Sequence, residues 1–201
     1  MNSPIAQPIA LFLNFEGVLH TPALDDYLEW EFLPQLEAVL REFPNVFVVV
    51  TSQDRIGANI VKLREPFSED IRPRVVGATP NLLQGRAFGG RLLEIEAYLK
   101  EIRGSHVRWL ALDSEDWLFP KDCPQLVHAH KLTGFSLIAE EELRMKLAAL
   151  CNPGVEPSQL TALAAPPDTR TLAEKEGALA NKPRAPAGSA FSRWLAKFRN
   201  R

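Results

Sequence analysis

The stretch IALFLNFEGVLH, residues 9–20, is an apolar run that ends on an amide and a carboxylate, Asn14 and Glu16, one residue apart. Gly17 follows and permits a tight turn. The pair raises the question of why so apolar a run ends by presenting an amide and a carboxylate side by side. Other apolar runs end the same way. Residues 46–50 (VFVVV) lead into Thr51 and Ser52, with Arg55 just beyond. Residues 107–112 (VRWLAL) lead into Asp113, Ser114, Glu115 and Asp116, and a helical pattern opens at GGRLLEI with Arg91. Polar residues gathered at one end of several strands point to a site, because an open α/β sheet binds its ligands beyond the carboxyl ends of its strands.

The elements that would position these residues can be read from periodicity. Residues 9–13 and 46–50 are apolar without alternation, as in strands buried on both faces of a parallel sheet. Residues 107–112 have the same character, residues 125–129 (QLVHA) and 74–77 (RVVG) more weakly. Leu33, Leu36, Leu40 and Phe43 recur at helical spacing and stop at Pro44. Leu92, Leu93, Ile95, Tyr98, Leu99 and Ile102 do so and stop at Gly104, and a last helix is expected over about 139–150. Strands alternating with helices predict a doubly wound parallel α/β sheet.

The 201 residues suffice for one domain with a substantial core and an appended tail. A formal net charge of −2 gives no global case for binding nucleic acid or membrane. Cys123 and Cys151 have no metal-ligand spacing with the four histidines and read as free thiols of a reducing compartment, so the expected location is cytoplasmic. The start MNSPIAQPIA lacks the features of a signal peptide, and no uncharged apolar run reaches the ~20 residues that cross a bilayer. The expected division is an α/β domain over 1–152, a disordered Ala/Pro-rich linker over 153–188 and a basic amphipathic helix over 189–201. In that last segment Phe191, Trp194, Leu195 and Phe198 share one helical face among Arg193, Lys197, Arg199 and Arg201. Residues 191–201 are expected to dock on a protein, an RNA or a membrane surface. Taken singly, Arg55 and Arg91 read as surface residues, His20 as solvated, and Trp109 and Trp117 as core or rim packing.

The motifs EGVLH, TSQDR, VVGATP, RLLEI and LALDS, in that order, resemble the haloacid dehalogenase (HAD) superfamily. They are most similar to the small HAD domains of Swiss Army Knife RNA-repair proteins, over roughly 9–150. The resemblance implies a HAD-like Rossmannoid sheet with a minimal cap and an open site. It also implies a chemistry in which one aspartate attacks phosphorus and a second, two residues on, moves the proton. Magnesium would be held by the first carboxylate, a backbone carbonyl and a carboxylate of the last motif.

Carried over, the catalytic positions are Asn14, Glu16, Ser52 and Arg91, the phosphate-binding ones Thr51, Ser52 and Arg91, and the metal ones Asn14, Glu16 and Asp113. An amide at position 14 is a poor nucleophile, Glu16 carries an extra methylene, and Ser114 stands where a second acidic residue is expected. The expectation is a degenerate site that binds a phosphate-bearing ligand, turns it over little or not at all, and holds magnesium weakly or not at all. The alternative is an active magnesium-dependent phosphohydrolase acting on nucleic-acid or nucleotide phosphates. A third reading leaves the domain as a scaffold whose role lies in its tail.

Overall fold

The computed structural model describes residues 7–21, 30–82, 88–104, 106–152, 154–155 and 158–160. They form a five-stranded parallel sheet in the order β3-β2-β1-β4-β5, with β1 at Ile9–Leu13, β2 at Val46–Val50, β3 at Val75–Ala78, β4 at Arg108–Asp113 and β5 at Leu126–His128. The helices are α1 (Leu33–Glu42), α2 (Ile60–Arg64), α3 (Gly90–Glu101) and α4 (Leu137–Cys151). The strands and helices expected within residues 9–150 are all present, displaced by at most a residue or two at their ends. The short helix α2, with a single buried leucine, Leu63, has too little periodicity to be read from sequence.

Each face of the sheet has its own apolar layer. Ile9, Leu11 and Leu13 of β1 point with Val48, Val50, Leu110 and Leu112 into a core closed by α1, α2 and α4. Ala10 and Phe12 point the other way, with Val49 and Ala111, toward Ile95 and Leu99 of α3. The right-handed crossovers from β1 through β3 put α1 and α2 on one face. The chain then returns through α3 on the other face to lay β4 against the far side of β1. Strand order therefore reverses between β1 and β4, where the site is expected.

Past α4 the chain stays on the domain. Arg108 donates to the carbonyls of Leu150, Asn152 (2.8 Å) and Val155, Val155 packs against the core, and Leu160 is buried in it. The rest of the expected linker, the amphipathic segment 189–201 and the cap region 22–29 lie outside the described residues. Among the described residues no helix is long and apolar enough to cross a membrane.

Candidate functional site at the carboxyl ends of the strands

Register brings the polar residues together. Leu13 pairs with Val50 on one side and Leu112 on the other, and Val50 pairs with Ala78. The ladder continues one step: Asn14 N–H donates to Leu112 O (3.0 Å), Thr51 N–H to Leu13 O (2.8 Å) and Thr79 N–H to Val50 O (3.0 Å). Thr79, Thr51, Asn14 and Asp113 thus form one row across four strands. By the two-residue period of a strand, that row lies on the face of Phe12, Val49 and Ala111, which α3 covers.

α3 meets this row with charge. Its apolar pattern suggests a wholly greasy inner face, yet Leu93 and Ile102 are about half exposed while Arg91 and Glu94 are buried. The helix turns the side of Arg91, Glu94, Ile95 and Leu99 inward because its first turns lie over the polar row rather than over the core. Arg91 Nε donates to Asp113 Oδ2 at 2.9 Å and Nη1 to Thr51 O at 2.6 Å, and both side chains are 1% exposed. Glu94 takes Arg55 Nη2 at 2.7 Å and lies 3.6 Å from Arg91 Nη1. Arg55, expected at the surface, is buried: besides Glu94 it donates to the carbonyls of Thr51, Ser52 (2.9 Å) and Thr79 (2.9 Å). This linked set, Arg55–Glu94–Arg91–Asp113, ties the second, fourth and fifth motifs together. Glu94 was not singled out from the sequence, although its spacing of three from Arg91 in RLLEI is the signal that could have found it.

Burial pushes the Asp113 carboxyl up from the ordinary carboxylate range, and the Arg91 guanidinium and the backbone N–H groups of Glu115 and Ser114 oppose that. Glu115, 3.8 Å from Arg91 Nη2, is raised by its own partial burial and by Asp113 beside it. At the next position of the loops the partners are neutral. Asn14 Nδ2 donates to Glu16 O at 2.8 Å, and Ser114 Oγ donates to the same carbonyl at 2.8 Å. The amide assignment is physical, since the flipped amide would set two carbonyl oxygens against each other. The Glu16 side chain stays exposed, with Oε1 3.8 Å from Lys131 Nζ.

Of the positions read from the sequence, the structure therefore brings together Asn14, Thr51, Arg91 and Asp113. Ser52 is adjacent but occupied: its hydroxyl donates to Asp54 Oδ2 (2.7 Å) and caps the turn at Gln53–Arg55. Thr51 is 1% exposed, and its hydroxyl, like that of Thr79, finds no hydrogen-bond partner among the described residues. A buried hydroxyl without a partner costs about 1–3 kcal/mol, and here two stand in adjacent register positions.

Magnesium does not fit these donors. It needs oxygens that face it as acceptors, preferably carboxylates. Here position 14 turns an N–H inward, the Ser114 hydroxyl donates, and Asp113 accepts from Arg91 through Oδ2 and from Glu115 N–H through Oδ1. No group of three or more His, Cys, Asp or Glu among the described residues is arranged to hold a metal.

His20, expected in solvent, is buried and sits edge-on to Trp30 with ring centroids 5.6 Å apart. The backbone of its own turn, bridged to Glu16, folds it inward. Trp109 packs edge-on against Phe12, and Trp117 is 41% exposed, as rim packing leaves it. Burial lowers the His20 pKa, against the pull of Asp54 and Glu16. The folded state thus favours the neutral ring, and stability should decline as pH falls below the unfolded value of about 6.5, where only the unfolded chain takes up the proton. Urea midpoints between pH 7 and pH 5.5 should show this decline, and His20→Phe should remove part of it. A slope identical in the two proteins would rule the effect out.

The family model described as the HAD domain in Swiss Army Knife RNA repair proteins matches residues 10–138. No curated protein and no solved structure matches the chain.

Proposed function

Since the chain belongs to the family of HAD domains in Swiss Army Knife RNA repair proteins, we propose that the row at its strand ends receives a phosphate-bearing ligand without turning it over. The carrying observation is the Thr51 hydroxyl, buried beside Asn14 and without a hydrogen-bond partner among the described residues. A phosphoryl oxygen would supply the missing partner, with Arg91 and, from the rim, Lys131 as nearby cations. The family's description directs the first trials to RNA carrying a terminal phosphate.

The absence of turnover follows from position 14. An amide is uncharged and forms no acyl-phosphate, and its N–H₂ is held by the Glu16 carbonyl. Loss of a nucleophile typically costs many powers of ten in rate. Glu16, exposed and paired with Lys131, is displaced from the role of a base working on a buried phosphate. The role is then that of a binding or regulatory module. We further propose that residues 191–201 dock it to a protein, an RNA or a membrane surface, and that it works in the cytoplasm, which suits the free thiols of Cys123 and Cys151.

Thr51→Val separates binding from folding, because the two should move in opposite directions. Without ligand the variant should be more stable by about 1 kcal/mol, since a buried unsatisfied hydroxyl is gone. Titration calorimetry with inorganic phosphate and a phosphate-terminated oligoribonucleotide should show affinity weakened by up to about tenfold. Absence of binding by the parent protein at millimolar concentrations would sink the reading. So would release of phosphate from the oligonucleotide at an enzymatic rate.

A further inference from the structure

We infer that Asn14 and Ser114 have taken the place of a cation, so that the site is closed to divalent metal and any ligand it binds is bound without one. The inference extends the phosphate reading of the same site, but its geometry stands on protein atoms alone. The Glu16 carbonyl oxygen is the point on which both side chains converge, each donating at 2.8 Å, and the two donors are themselves 3.5 Å apart. A carbonyl oxygen has two lone pairs, and both are used. A metal ion reaching that oxygen would have to break both bonds and turn the Asn14 amide over.

The surroundings hold the arrangement shut. Gly17, at φ +72°, brings its backbone so close to Ser114 that a Cβ there would lie 2.5 Å from the hydroxyl oxygen. Ser114 is thereby confined against the carbonyl. Asp113, the remaining anion of the row, has one oxygen on Arg91 and the other on the Glu115 N–H. Positive charge for the row comes from Arg91, which is covalently attached and always protonated, rather than from an ion that must be recruited.

Asn14→Asp with Ser114→Asp replaces both donors by carboxylates aimed at the same carbonyl oxygen. Three sets of acceptors would then face one another, which is unfavourable until a cation enters and a usual magnesium environment once it does.

The test is thermal unfolding of the full chain in EDTA and in millimolar magnesium. The parent protein should melt at the same temperature in both. The double variant should melt lower in EDTA and rise by about 5 °C or more with magnesium, saturably, as a ligand bound only by the folded state requires. If the double variant does not fold in EDTA, refolding it in magnesium or in manganese, with manganese-induced broadening of nearby resonances as the readout, keeps the test decisive. A parent protein stabilised by magnesium would overturn the inference, as would a folded double variant indifferent to both metals. Failure of the parent to bind inorganic phosphate in EDTA would instead sink the phosphate reading, while unchanged melting in the two buffers would leave the closed cation site standing.

Discussion

Arg91→Met is expected to destabilise the domain by about 3–5 kcal/mol, the usual cost of removing one partner of a buried ion pair. The side chain is 1% exposed and serves several groups at once: Asp113 Oδ2, the Thr51 carbonyl and, at longer range, Glu94 and Glu115. Methionine fills much of the same volume but leaves the Asp113 carboxylate buried with only backbone donors. The group would then have to take up a proton or draw in water. For a domain of this size the loss corresponds to a fall in Tm of about 10 °C or more, read by circular dichroism or urea unfolding. The pair itself is not the source of the domain's stability, because taking two charges out of water offsets most of their attraction. Hence Arg91→Met combined with Asp113→Leu should recover a large part of the loss. A single variant losing less than about 1 kcal/mol would mean the pair is solvated and the row is not built as described.

Gly17→Ala is expected to cost about 2–5 kcal/mol, for two separable reasons. At φ +72° an alanine pays the left-handed penalty of about 1–2 kcal/mol. Its Cβ would also meet Ser114 Oγ at 2.5 Å and Ser114 Cβ at 2.8 Å, distances that real atoms do not adopt. Ser114 would have to leave the Glu16 carbonyl, and overpacking of that kind typically adds about 1–3 kcal/mol. Substituting Ser114→Gly in the Gly17→Ala background separates the two, since it removes the clash and leaves the φ penalty. The double variant should therefore unfold at a higher urea midpoint than Gly17→Ala alone. No recovery at all would show that Ser114 is not what the glycine makes room for.

The strands were legible because a parallel sheet covered on both faces needs continuous apolar runs, and IALFL and VFVVV have few other uses in a soluble chain. Gly17 was legible for a similar reason, since a strand that turns back sharply asks for positive φ. The site was legible only by position: Asn14, Thr51 and Asp113 could be placed at strand ends, but not given partners. Arg55 and His20 went astray because burial of a polar side chain depends on what covers it. Their covers, Glu94 and Trp30, lie 39 and 10 residues away along the chain. The helical period of α3 misplaced Leu93 and Ile102 inward, since periodicity ranks faces by hydropathy and this helix buries a charged one.

The amino-acid sequence by itself determined the sheet, its carboxyl-end row of polar residues and the neutral group at position 14, because strand propensity, turn geometry and side-chain charge are local properties. Only the tertiary structure decided that the amide nitrogen and a serine hydroxyl meet one carbonyl oxygen, that Arg91 belongs to Asp113, and that the Thr51 hydroxyl finds no partner among the described residues. Those outcomes depend on the register of parallel strands separated by long crossovers and on how α3 is rotated over them. Hydrogen-bond partners are chosen at distances of about 3 Å between groups up to a hundred residues apart, and no local preference reaches that far.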